Sequence, residues 1–125
     1  MLTYDSIKRI FEQERMSPKL IRLPDGFFSD AKLYLEKKTE VEKDRWEVES
    51  AKKILSELFE IRERKMLNLA PFYVKTGGVP DNVLDDEKAF FEEILAVIKK
   101  RVESKERFFE NKNTNQIIVM LKDFP

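Results

Sequence analysis

The chain contains no cysteine and no histidine. The first absence excludes disulfides and thiolate nucleophiles, and the second excludes imidazole acid–base chemistry. Together they remove structural zinc of the usual thiolate–imidazole type. Glycine is scarce, three in 125 residues, and the pair Gly77-Gly78 runs into Val79-Pro80 rather than Lys-Ser or Lys-Thr, so no phosphate-binding loop is encoded. No apolar run approaches the roughly 20 residues that cross a bilayer. Met1 leads into Leu2-Thr3-Tyr4-Asp5 with no basic and then apolar segment, so no secretory leader is read and the chain reads as soluble. Nor does one sign of charge dominate, because 24 basic and 24 acidic side chains cancel. Proteins that bind nucleic acid unaided usually carry a basic surplus. Balance leaves room only for a local patch or a site shared within a complex.

What is present is enough apolar material for one domain's core, 42% of the residues with ten Phe among them. The periodicity predicts four helices. The first runs from about Thr3 to Arg15, with Ile7, Ile10 and Phe11 at helical spacing and Thr3 or Asp5 as its cap. Ser17-Pro18 breaks it, and Leu20-Ile21-Arg22-Leu23-Pro24 reads as an extended connector. After Asp25-Gly26 a second helix carries Phe27, Phe28, Ala31, Tyr34 and Leu35 to about Lys38. The third is long, Asp44 to Ala70, with Pro71 ending it. Beyond the Gly- and Pro-rich loop, Asp81 or Asp85 caps a fourth helix that reaches about Glu110. Its apolar set, which includes Phe90, Phe91, Ile94, Val97, Phe108 and Phe109, is too broad for one neighbour. The polar stretch 111–116 reads as a linker, and Ile117-Ile118-Val119-Met120-Leu121 reads as a strand with nothing to pair with in a helical chain. The fold class is therefore all-α: an elongated bundle of four to five helices with a long third helix, then a linker and a short C-terminal strand. Residues 1–111 form the helical domain, and 112–125 hold the linker and the first strand of a mostly absent β domain.

The third helix carries the most informative feature. Val48, Ala51, Ile54, Leu55, Leu58, Phe59, Met66 and Leu69 share one wide face, and Arg62 falls near its middle with Lys65 beside it. A cation in an apolar stripe is costly unless something opposes it. Glu87, on the same face of the fourth helix as Phe91 and Ile94, is the intramolecular candidate.

The helix ends Ile61-Arg62-Glu63-Arg64-Lys65-Met66-Leu67-Asn68-Leu69-Ala70. This apolar-Arg-x-Arg-Lys-apolar-x-x-Leu-Ala pattern resembles the helical domain of a GINS subunit, a scaffold of the replication fork. The openings Tyr4-Asp5-Ser6-Ile7-Lys8-Arg9-Ile10 and Glu14-Arg15-Met16-Ser17-Pro18-Lys19-Leu20 resemble the archaeal subunit that places its helical domain first. The order helical segment, polar linker, strand fits that type rather than its β-first paralogue. The resemblance implies a heterotetramer with the β-first paralogue, two copies of each. It also implies a bridge between the MCM helicase ring and a RecJ-like protein of the DHH phosphoesterase family. Catalysis, cofactors and metals are not implied; DNA would be met weakly or indirectly, and the location would be cytoplasmic and nucleoid-associated.

Each candidate residue has two readings. Arg62, Lys65 and Glu87 form a structural ion pair or a subunit interface, or else Arg62 and Lys65 meet DNA or helicase. Trp46 and Arg64 lie opposite the Leu55–Leu58 stripe with Leu67 nearby, a pattern found at interface hot spots, although Trp46 could instead pack on the second helix or a loop. Phe108 and Phe109 sit among Arg101, Lys105, Arg107 and Lys112, with the run Lys99-Lys100-Arg101 just before them. Such interleaving can stack single-stranded bases, which makes a helical nucleic-acid-binding module the alternative function, or it can mark a core stripe with a solvated flank. Adjacent carboxylates at Asp85-Asp86 and Glu92-Glu93 point about 100° apart on a helix and do not converge on a reactive site. No enzyme is read.

Overall fold

The structure is a computed structural model that describes residues 2–41, 43 and 45–110. Among the described residues four α-helices follow one another, α1 (Tyr4–Met16), α2 (Phe27–Thr39), α3 (Arg45–Tyr73) and α4 (Asp85–Phe109). The described residues contain no strand; the linker and the strand expected over 112–125 lie outside them.

Local chemistry sets the helix ends. The Thr3 hydroxyl accepts from the Ser6 N–H at 3.1 Å, and the Ser6 hydroxyl oxygen accepts from the Thr3 N–H at 2.8 Å, a reciprocal cap for α1. Gly26 opens α2 from a left-handed conformation, φ 70°, that a residue with a Cβ seldom adopts. α2 and α3 are separate helices, and α3 begins at Arg45. Its 29 residues give a rod of roughly 43 Å at 1.5 Å per residue.

Two expectations about helix ends are corrected. Pro71 does not end α3, which contains it and continues to Tyr73. Proline removes one hydrogen bond to the carbonyl four residues back, and in the last turn that loss is confined to Leu67. Tyr73 holds the extension: its ring meets Phe91 edge-on with centroids 5.8 Å apart, and its carbonyl accepts from the Gly77 N–H at 2.9 Å. Nor does Asp81 or Asp85 cap α4. The cap residue is Leu84, and its N–H donates to the Glu87 carboxylate at 3.0 Å. Asp85, Asp86 and Glu87 fill the first turn, where negative charge opposes the positive end of the helix.

The main helix–helix contacts all involve α3. Its first half closes a core with Ile7, Ile10 and Phe11 of α1, Leu23 of the connector, and Phe27, Ala31 and Tyr34 of α2. Its second half closes a smaller one, in which Met66 and Ala70 meet Leu20 and Phe91. Each large apolar side chain buried in this way contributes about 1.5–3 kcal/mol relative to exposure. Between the two clusters, at the i+4 step from Leu58 and the i−4 step from Met66, the buried stripe of α3 is occupied by Arg62.

Candidate functional site

Arg62 is fully buried, and each of its five N–H groups has a partner. Nε donates to Glu87 Oε2 at 2.8 Å, and Nη2 donates to Glu87 Oε1 at 2.7 Å and to the Asn82 carbonyl at 2.8 Å. Nη1 donates to Glu14 Oε1 at 2.5 Å and to the Ile21 carbonyl at 3.0 Å. The pairing with Glu87 is the bidentate fork that suits guanidinium and carboxylate. Lys65 completes the set. Its Nζ donates to Glu14 Oε2 at 2.5 Å, to the Glu14 carbonyl at 2.7 Å and to the Lys19 carbonyl at 2.9 Å.

Two cations and two carboxylates therefore neutralise one another between the two apolar clusters. Burial alone would pull the Arg62 guanidinium down, yet Glu87 and then Glu14 hold it above its ordinary value. No buried side-chain nitrogen or oxygen among the described residues lacks a partner. A network with every donor engaged has none left to offer a substrate or a phosphate. Its work is mechanical, joining α1, the connector, α3, the loop before α4, and α4.

Two members of this network were not among the sequence candidates. Glu14 continues the Ile7, Ile10, Phe11 face of α1 by three and four residues, so a carboxylate stands where the apolar period calls for a core residue. That misplacement was the available signal. Asn82 adopts φ 69°, and its side-chain amide donates to the Leu20 carbonyl at 3.1 Å. Asparagine tolerates this left-handed geometry better than most residues, and its place in an Asp-Asn turn was the clue.

The remaining candidates distribute over the surface. Phe91 is corrected as an interface residue, because it is wholly buried within its own chain. Ile94 packs partly against the same cluster. Trp46 is 66% exposed and packs edge-on to Tyr4 of α1, centroids 5.9 Å apart, rather than on α2 or a loop alone. It stands at the edge of an open groove of about 790 Å³ that also includes Leu2, Leu33 and Tyr34. Charges of both signs line that groove, Asp5, Asp30 and Glu47 against Lys37 and Lys38. Arg64 is exposed and donates to its own helix at the Glu60 carbonyl, 3.5 Å away. Leu67, Phe90, Val97, Phe108 and Phe109 are all exposed.

The end of α4 has a particular geometry. At about 100° per residue, Phe91, Ile98, Val102 and Phe109 lie along one side of the helix. Phe91 is buried, Ile98 and Val102 are half-buried, and Phe109 is 70% exposed. The core-facing stripe thus runs on past the chain's own core. Lys99, Lys100, Arg101, Lys105 and Arg107 are exposed here too, but Glu103, Glu106 and Glu110 are interleaved with them, so no face is purely basic. Among the described residues no cluster of acidic side chains could hold a metal ion, and no helix is long and apolar enough to cross a membrane.

A helical domain clamped by a saturated internal ion network, with apolar side chains left on its outside, has the anatomy of an assembly subunit. A family model described as the GINS complex subunit Psf2/Psf3-like N-terminal domain matches residues 4–121. The chain belongs to that family, the non-catalytic scaffold subunits of the GINS complex of DNA replication, and membership implies assembly with other GINS subunits. No curated protein and no solved structure gives a significant match to it.

Proposed function

We propose that this chain is a helical-first, archaeal-type GINS subunit that works through its surfaces. In this reading it pairs with a β-first paralogue in a heterotetramer, two copies of each. The assembly then holds the MCM helicase ring and a RecJ-like DHH-family protein in fixed relation at the fork. The observation that carries the reading is the apolar stripe of α4, which continues from buried Phe91 to exposed Phe109 with Phe108 beside it. Surface of this kind is stabilised when another chain removes it from water. Arg62, Lys65 and Glu87 act in this scheme as the internal clamp that presents α4 at a fixed angle, while Trp46, Leu67 and Val97 extend the contact surface.

The test is co-expression with a β-first GINS paralogue and measurement of complex mass by light scattering. The wild-type chain forms the four-chain complex, and Phe108→Asp/Phe109→Asp remains a lone folded chain. Full assembly by the double variant would remove the end of α4 from the interface.

A further inference from the structure

A second surface, on a different side of the domain, has a one-signed chemistry of its own. Phe28 of α2, Phe59 and Met66 of α3, and Phe90 of α4 line a groove of about 290 Å³, with Glu63 and Asp86 on its rim. The rings of Phe28 and Phe59 lie 4.8 Å apart at 34°, so the floor is a built aromatic surface rather than a gap between flexible chains. Phe59 and Phe90 remain 40% and 36% exposed although they line the groove with the buried Met66. The volume is at the bottom of the range for small-molecule pockets, roughly 300–1,000 Å³. It accommodates one or two apolar side chains presented by a larger body.

The rim says what that body carries. Among the described residues no cation lines the groove, and Glu63 and Asp86 make no ion pair with any of them. On α4 the Lys88 ammonium pairs with Asp85 at 3.0 Å, and Glu87 pairs with Arg62. Helical spacing extends the pattern by one step along α4, where exposed Glu93 follows Phe90 at i+3. The result is an aromatic line edged by carboxylates. Such a groove repels nucleic acid and suits an amphipathic helix laid in it, with anchors at helical spacing.

We propose that this α2–α3–α4 groove docks an amphipathic helix of a protein partner. That helix inserts a Leu or Phe between Phe28, Phe59 and Phe90 and sets Lys or Arg against Glu63 and Asp86. The groove belongs to this chain alone and is separate from the Phe108–Phe109 end, so its test is independent of GINS assembly.

The experiment uses the full chain and two synthetic helical peptides. They share a Leu/Phe face; one has Lys and Arg flanking it, and the other has Glu at the same positions. Binding is followed by NMR, with resonances assigned for Phe28, Phe59, Phe90 and Phe109. The basic peptide is expected to shift the three groove residues and to bind less tightly as salt is raised. The double reversal E63K/D86K should weaken it by at least about tenfold, and the milder E63Q/D86N should fall between wild type and reversal. Both pairs lie on exposed positions, and thermal melting of each variant reports that the fold is retained. Equal binding of the two peptides, shifts centred on Phe109, or no binding by either peptide would each overturn the proposal.

Discussion

The Lys65 ammonium binds Glu14 twice, at the carboxylate and at the residue's own carbonyl oxygen. One side chain of α3 thus closes the last turn of α1 and neutralises the charge that α1 sends into the interior. Glu14 cannot be freed from one partner without loading the other. Lys65→Met and Glu14→Gln are therefore expected to be non-additive: each destabilises by about 1.5–3 kcal/mol, and the double variant loses less than the sum. Urea denaturation of the four proteins of the cycle measures this. Strict additivity would mean that the two groups do not act as a unit.

Arg62 carries more. Arg62→Ala leaves buried Glu87 without a cation and Glu14 with Lys65 alone, and should cost about 3–5 kcal/mol in denaturant unfolding. Arg62→Lys keeps the charge but cannot reproduce the fork on Glu87 or the bonds to Ile21 and Asn82, so it should recover only part of that loss. A lysine variant as stable as wild type would show that charge, not geometry, is what this position needs.

At Asn82 the backbone and the side chain can be separated. Asn82→Gly keeps the φ of 69° without strain and gives up only the amide bond to Leu20, whereas Asn82→Val adds the strain of a β-branched residue in the left-handed region. The valine variant should be less stable than the glycine variant by about 1–3 kcal/mol. Melting temperatures in the order Val above Gly would contradict the assigned geometry.

Glu47 gives a pH signature. The Tyr34 hydroxyl donates to it at 2.7 Å and, against the opposing pull of burial, Tyr34 and then Lys38 hold its carboxyl below the ordinary 4.5. A lowered folded value means that its contribution is complete above the ordinary carboxylate range and fades as pH falls through the lowered one. Wild type should therefore exceed Glu47→Gln in stability by a constant margin near neutrality, and the two should converge in acid. A margin that grows on acidification would reverse the sign of the effect.

The helices themselves were legible in the sequence, because apolar periods of three and four survive wherever one side of a helix faces a core. Arg62 was legible for the same reason, as a break in such a period, and Glu87 followed from its place beside Phe91. Glu14 obeys the same rule, but a single carboxylate on a short amphipathic helix is indistinguishable in sequence from ordinary surface. The Pro71 extension was hidden because it depends on Tyr73 finding Phe91, a contact between residues 18 apart that no local propensity encodes. Leu84 as a cap was hidden because its partner is the side chain of Glu87 and not its own. The depth of Phe91 against the exposure of Phe90 depends on which way α4 is rotated, and only packing against Met66 and Ala70 sets that.

The connector between α1 and α2 has a kinetic corollary. Three successive carbonyls, of Lys19, Leu20 and Ile21, are each taken by a side chain from far along the chain, Lys65, Asn82 and Arg62, at separations of 46, 62 and 41 residues. The N–H groups of Lys19 and Ile21 find local acceptors in Ser17 and Glu14, but these three carbonyls are satisfied only after the distant donors arrive. Loop closures of that length come late, so the connector should solidify at the end of the folding reaction and substitutions there should quicken unfolding more than they slow refolding.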